Sequence, residues 1–208
     1  MSVSALIPIG SLEAAKSRLG AVLDAEERRE LVLRMLRRTV GACLATSGID
    51  ETIVVSPDHV ALAEAERLGA RPLRQIAGGL NEGVRQARDD AIARGATAVL
   101  VVPVDLPLVT PDALQAVVEA MDPEAVPPEP LVALVADRHG RGTNALLIAP
   151  PDAIDPCFGG DSAAAHRAAA MTAGARLLDL AGPLAVDLDT MDDLLLVEDL
   201  APDLLRAG

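Results

Sequence analysis

The run Ala98–Val104 constrains the fold more than any other stretch of the chain. Every residue in it is apolar, Gly95 precedes it and Asp105 ends it. A run this uniform cannot offer one face to water, so it reads as a strand covered on both sides, the signature of a parallel sheet between helices. Val3–Ile9, Thr52–Ser56, Arg71–Arg74, Leu131–Ala136, Ala145–Ile148 and Ala185–Leu188 read as its companion strands. Helical segments alternate with them. Leu23–Ala45 starts at Asp24, with Glu27 three residues on to complete a capping box, and carries the apolar stripe Leu31, Met35, Leu36 and Val40. Val60–Leu68 is ended by Gly69, and Asn81–Arg94 by Gly95. Thr110 followed by Pro111 opens a helix to Met121. Ser162–Gly174 and a last helix capped by Thr190 complete the set, and the proline-rich segment Met121–Pro130 reads as a loop. Strands alternating with helices predict an α/β sandwich, in which ligands bind at the carboxyl ends of the strands.

Composition narrows the class. The 208 residues suit one domain, residues 1–208, with a core large enough to need no disulfide or metal staple. That core must be aliphatic, because Phe158 is the single aromatic residue. Two cysteines, Cys43 and Cys157, make no disulfide framework and fit no zinc spacing. No apolar run approaches the ~20 residues that span a bilayer, and the start lacks the pattern of a secretory signal, so the expected location is cytoplasmic. A net charge of −13 argues against nucleic acid or an anionic membrane as partner. Lys16 is the one lysine, set against seventeen arginines.

The strand ends hold the residues with chemistry to offer. Lys16 and Arg18, two apart in the loop after the first strand, can follow a triphosphate, or can be ordinary surface cations. Asp105 should emerge at the sheet edge, placed either to hold Mg²⁺ or to cap the turn before Pro107. Asp187 and Asp189, two apart on the expected late strand, would face the same side, as carboxylates do around a cation; Asp189 can equally belong to the helix start at Thr190. Thr143, and the segment Phe158–Ser162 opening a helix, offer hydroxyls and free N–H groups to an anion, with plain loop chemistry and an Asp161 cap as the alternative. Gly78–Gly83 opens another helix, where Gly79 and Asn81 can meet a base or ribose, or Asn81 can be the cap. No Gly-x-Ser-x-Gly and no Cys/His pair points to a nucleophile.

Taken in order, Ala15-Lys16-Ser17-Arg18-Leu19, Gly79-Leu80-Asn81, Asp105-Leu106-Pro107-Leu108, Gly142-Thr143-Asn144-Ala145-Leu146, Phe158-Gly159, Ser162, His166 and Asp187-Leu188-Asp189-Thr190 resemble the guanylyltransferases that begin assembly of the deazaflavin coenzyme F-420. The resemblance implies a three-layer nucleotidyltransferase fold around a mixed, mostly parallel sheet. It implies transfer of GMP from GTP to phosphoenolpyruvate, 2-phospho-L-lactate or 3-phosphoglycerate. Asp105, Asp187 and Asp189 would hold Mg²⁺; Thr143, Gly159 and Ser162 would hold the acid; Lys16 and Arg18 would lie along the triphosphate and, with Gly79 and Asn81, bind the nucleotide. Asp105, Lys16 and Arg18 would then be the catalytic set. Two positions depart from the family pattern: Gly10 stands where a lysine is common, and Met191 where a proline usually follows Asp-x-Asp-Thr. A molybdopterin or sugar-phosphate nucleotidyltransferase of the same fold and a non-catalytic nucleotide-binding protein stay open as alternatives, as do a homo-oligomer and contact with a downstream enzyme of the coenzyme pathway.

Overall fold

A computed structural model describes residues 2–13, 16, 19–121 and 129–205. Its strands are β1 (Val3–Pro8), β2 (Ile49–Ser56), β3 (Arg71–Arg74), β4 (Ala98–Val101), β5 (Leu131–Ala136), β6 (Thr143–Ala149) and β7 (Arg176–Leu180). They form one sheet in the order β3-β2-β1-β4-β6-β5-β7. Four pairings are parallel, while β6 runs against both β4 and β5. This single reversal decides where the site can form. The amino end of β6 lies at the edge where the other strands end, so Thr143 and Asn144 join the residues that follow β1, β4 and β5.

The helices are α1 (Ala25–Ala45), α2 (His59–Leu68), α3 (Leu80–Ala93), α4 (Pro111–Val118), α5 (Ser162–Thr172), α6 (Met191–Leu200) and α7 (Pro202–Leu205). Strand alternation sorts the core into two layers. Ala5, Ile7, Val54 and Leu100 pack with Leu31, Met35 and Leu36 of α1, Ala61 and Ala65 of α2, Leu114 of α4 and Val197 of α6. Leu6, Ile53, Val99 and Val101 face the other way, onto Val84, Ala87 and Ala91 of α3 and Ala170 of α5. No helix among the described residues is long and apolar enough to cross a membrane.

Local signals are realised where expected. Asp24 accepts from the Glu26 and Glu27 amides while Glu27 reaches back to the Asp24 amide. Thr110 caps α4 with Pro111 in its first turn. Gly69 ends α2 at φ +94°. Other elements differ. β4 stops at Val101; Val102 still donates to Leu6 at 2.9 Å, but Pro103 has no amide to continue the ladder. The expected strand Ala185–Leu188 does not exist. Gly182 and Pro183 turn the chain into a short 3-10 helix at Pro183–Ala185, and the strand that extends the sheet is β7, parallel to β5. Most of the expected proline-rich loop, residues 122–128, lies outside the described residues.

Candidate active site

The loop after β1, the turn after β4 and the segment before α6 meet at the carboxyl edge. Leu188 donates its amide to the Asp105 carbonyl at 2.9 Å, fastening residues 187–189 beside the β4 turn. The Lys16 ammonium donates to Asp189 Oδ1 at 2.7 Å and to Asp105 Oδ2 at 3.4 Å, with the lysine side chain only 9% exposed. Burial alone would lower the Lys16 pKa, but the two carboxylates outweigh it and raise it. Lys16 is also the one non-glycine residue with positive φ, +51°, among the described residues. Such conformations persist only where surrounding contacts hold them. Asp187 completes the cluster: burial first, then the charges of Asp105 and Asp189, push its carboxyl above the ordinary range. Arg18, expected beside Lys16, lies outside the described residues.

The segment carrying Asp187 and Asp189 is braced from two directions. Asp193, in the first turn of α6, accepts from the Asp189 amide at 2.9 Å and from the Thr190 amide and hydroxyl at 2.6 and 2.8 Å. Burial disfavours its charge, but these donors and Arg138, 2.5 Å away, hold its carboxyl below the ordinary range. Asn144 donates to the Leu184 carbonyl at 3.0 Å, pinning the turn that leads to Asp187.

This donor set suits a hard divalent cation. All three side chains are carboxylates, and the crowding of like charge that adds to burial in raising Asp187 is what a cation relieves. An ammonium already stands between two of them. Among the described residues no three acidic, His or Cys side chains close into a ready cage, consistent with Lys16 sitting between Asp105 and Asp189.

To one side lies a cleft of about 340 Å³, lined by Pro8–Ser11, Pro57 and Gln75–Leu80. Its loop is tied from within. Gln75 donates to the carbonyls of Ala77 and Gly79 at 2.6 and 2.8 Å, and Gln86 bridges the Ile76 amide and the Arg74 carbonyl. Gly79, at φ +96°, precedes α3 in a conformation that side chains resist. Asn81 caps nothing: its amide accepts from the Phe158 N–H at 2.7 Å and donates to the Phe158 carbonyl at 3.0 Å. Gly83 sits under Gln75, and a methyl there would come within 2.8 Å of Gln75 Oε1. Gly83→Ala should therefore displace the brace while gaining helix propensity. The expected outcome is an unchanged or higher melting temperature with weaker binding, by several-fold in Kd, of whatever ligand the cleft takes, measured by thermal melts and equilibrium titration.

On the other side, Thr143, Gly159 and Ser162 come together at the start of α5. Thr143 and Ser162 are buried, and Gly159 holds φ +152°. The helix start is less open than the sequence implied. The Ser162 amide donates to the Gly159 carbonyl at 3.2 Å and the Ala163 amide to the Arg141 carbonyl at 2.9 Å. Asp161 makes no side-chain cap and pairs with Arg141. Thr143 Oγ1 lies 3.0 Å from His166 Nδ1. His166 is fully buried, and burial pushes its pKa down from 6.5 to about 4. Between those values the unfolded chain holds a proton that the fold excludes. Stability is therefore complete above pH 6.5 and lost as pH falls toward 4, by at most about 1.4 kcal/mol per pH unit. Denaturant midpoints measured across this window should show that slope reduced in His166→Asn.

A sheet of this order, with a cleft and an acidic cluster at its carboxyl edge, is the architecture of a nucleotidyltransferase. A solved nucleotidyl transferase of Methanothermobacter thermautotroptrophicus superimposes with a TM-score of 0.63 at 21% identity, covering 99% of each chain. Residues 3–198 match the family described as Guanylyl transferase CofC like, and the chain belongs to that family. Among its relatives are the phosphoenolpyruvate guanylyltransferase of Sphaerobacter thermophilus, 46% identical over 93% of this chain and 91% of that protein, and that of Rubrobacter xylanophilus, 43% identical over 95% and 94%.

Gln75, Gln86 and Arg138 shape the site without a local sequence motif that marks them, whereas Asp193 stands three residues after Thr190, the spacing of the capping box it forms. A glutamine flanking a glycine loop is a usable cue for such a brace. The Arg138–Asp193 pair spans too much sequence to be paired by spacing.

Proposed function

We propose that this chain transfers GMP from GTP to the phosphate of a small phosphorylated carboxylic acid, phosphoenolpyruvate, with release of pyrophosphate, as a step in assembling coenzyme F-420. The observation that carries the reading is the Lys16 ammonium held between Asp105 and Asp189, with Asp187 close enough to feel both carboxylates, between a glycine-walled cleft and a pair of buried hydroxyls. Nearly full-length likeness to enzymes named for phosphoenolpyruvate supports that acid over 2-phospho-L-lactate or 3-phosphoglycerate.

A phosphate oxygen of the acid attacks the α-phosphorus of GTP, forming a new P–O bond as the bond to the β-phosphate oxygen breaks. The attacking monoester has its second pKa near ~6 and is largely dianionic at neutral pH, so no residue need take a proton from it. His166, buried and neutral, fits that economy. The obstacle is the approach of two polyanions, and Asp105, Asp187 and Asp189 are the residues that would hold Mg²⁺ there. When bound, Mg²⁺ supplies the charge that offsets this repulsion and the charge building on the leaving pyrophosphate. Lys16 adds positive charge from the β1 loop along the triphosphate, and Arg18, two residues on in the sequence, is the second cation the family resemblance assigns there. Gly79, with Asn81 in the first turn of α3, frames the nucleoside side. Thr143, Gly159 and Ser162 receive the acid.

Pyrophosphate release tests the reading, measured with GTP, ATP and CTP against the three acids, with and without Mg²⁺. The expected result is release with GTP and phosphoenolpyruvate that depends on the metal. Tight GTP binding without release for any acid would overturn it in favour of a non-catalytic nucleotide-binding protein.

A further inference from the structure

His166 is fully buried, touches none of the three aspartates through any hydrogen bond found, and is too desolvated to serve as a base; yet its ring is held on every side. Phe158 packs edge-on against it, centroids 5.0 Å apart at 70°. The Cys157 amide points at Nε2 from 2.9 Å, and Thr143 Oγ1 meets Nδ1 at 3.0 Å. These contacts settle which nitrogen carries the proton. A backbone N–H can only donate, so Nε2 must accept. A neutral imidazole has one N–H, which is then on Nδ1 and is donated to Thr143.

The consequence falls on the threonine. Its hydroxyl oxygen accepts from the imidazole, so its own hydrogen is left to donate elsewhere. Among the described residues that hydrogen finds no acceptor: His166 is the only hydrogen-bond partner of the Thr143 side chain, which is 6% exposed. A nearly buried donor without an acceptor is costly unless a ligand takes it. Every oxygen of a phosphorylated carboxylic acid is an acceptor. With the opposite tautomer the hydroxyl would donate to the ring and turn lone pairs toward those anionic oxygens.

We propose that His166 is a positioning residue which, by holding its proton on Nδ1, commits the Thr143 hydroxyl to donate to an anionic oxygen of the acceptor acid. The inference rests on the function proposed above. The tautomer is fixed in turn by the Cys157 amide, and Asn81 clasps both polar backbone groups of the next residue, Phe158. The start of α3, beside the cleft, is thereby joined through one chain of contacts to the acid-side hydroxyl.

Two variants separate the two ring nitrogens. The amide of His166→Asn reaches the place of Nδ1 and can still donate to Thr143. The amide of His166→Gln reaches the place of Nε2, keeping a partner for the Cys157 amide while leaving Thr143 without its donor. The expected result is a KM for phosphoenolpyruvate raised about tenfold in His166→Gln and within about threefold of wild type in His166→Asn, with GTP affinity unchanged in both. In Thr143→Ala the further change to Gln should cost nothing more. Nitrogen-15 NMR of the intact wild-type chain at neutral pH should show a protonated Nδ1 and a bare Nε2 for His166, a readout that needs no variant to fold. A proton on Nε2, or equal acid KM values in the two folded variants, overturns the positioning role while wild-type activity leaves the functional reading standing. A wild-type chain that transfers GMP to none of the three acids overturns that reading and this role together.

Discussion

Asp105→Asn is expected to lower GMP transfer at least about a thousandfold while leaving the melting temperature within a few degrees of wild type. Asn keeps the size and shape of the side chain and removes its charge. The contact that fastens residues 187–189 uses the Asp105 backbone carbonyl, which the substitution does not touch. Lys16 keeps its closer partner, Asp189 at 2.7 Å. The architecture should therefore survive, and what is lost is one of three carboxylates available to hold a cation between two polyanions. Removing a single preorganised electrostatic group from a reaction centre commonly costs 10²–10³ in rate, and if Asp105 holds Mg²⁺ as proposed the loss belongs at or beyond the upper end. Pyrophosphate release and a thermal melt on the same preparation check both halves. Activity within tenfold of wild type would remove the metal role from Asp105.

The residues that were legible in the sequence owe it to short-range physics. Asp24 with Glu27, and Thr110 with Pro111, satisfy backbone groups within one turn, so their meaning travels with the sequence. Asp105 was legible because seven apolar residues force the chain through the sheet before it. Asp187 and Asp189 were expected to converge on it from a strand, and they stand near it without one. The 3-10 turn and the bond from Leu188 to Asp105 supply the register that pleating was expected to supply. β7 was missed for a reason of its own. Arg176-Leu177-Leu178-Asp179-Leu180 is short, half-exposed and carries a charge at each end region, the pattern of an edge strand, whose partner is set by β5 and not by its own composition. Ala185–Leu188 looked more strand-like because three of its four residues are apolar, but its burial comes from packing Leu184 and Leu188 beneath the site. The clasp of Asn81 on Phe158 joins residues 77 apart, a pairing that no local rule predicts.

Lys16→Met should lower transfer by about 10²–10³-fold and make the fold's stability depend on divalent cations. The side chain of Lys16 is almost enclosed, and its ammonium balances Asp105 and Asp189 at 3.4 and 2.7 Å. Asp187 is already held above the ordinary carboxylate range by burial and by those two neighbours. Methionine keeps the length and apolar stem of lysine but leaves the three carboxylates facing one another without the ammonium, so the metal-free melting temperature should fall. Mg²⁺ should recover it, because a ligand that binds only the folded state stabilises by about 2.7 kcal/mol at a hundred times its Kd. Wild type should gain less from the same Mg²⁺, since its lysine already supplies one positive charge that the incoming ion must displace or share. The loss of rate has a separate origin, the missing charge along the triphosphate, and Mg²⁺ should not restore it. Thermal melts in chelator and in millimolar Mg²⁺, read beside the kinetics, separate the two effects. A variant whose stability ignores Mg²⁺ would mean that the carboxylates do not form a cation seat, and a variant of normal rate would take Lys16 out of the reaction.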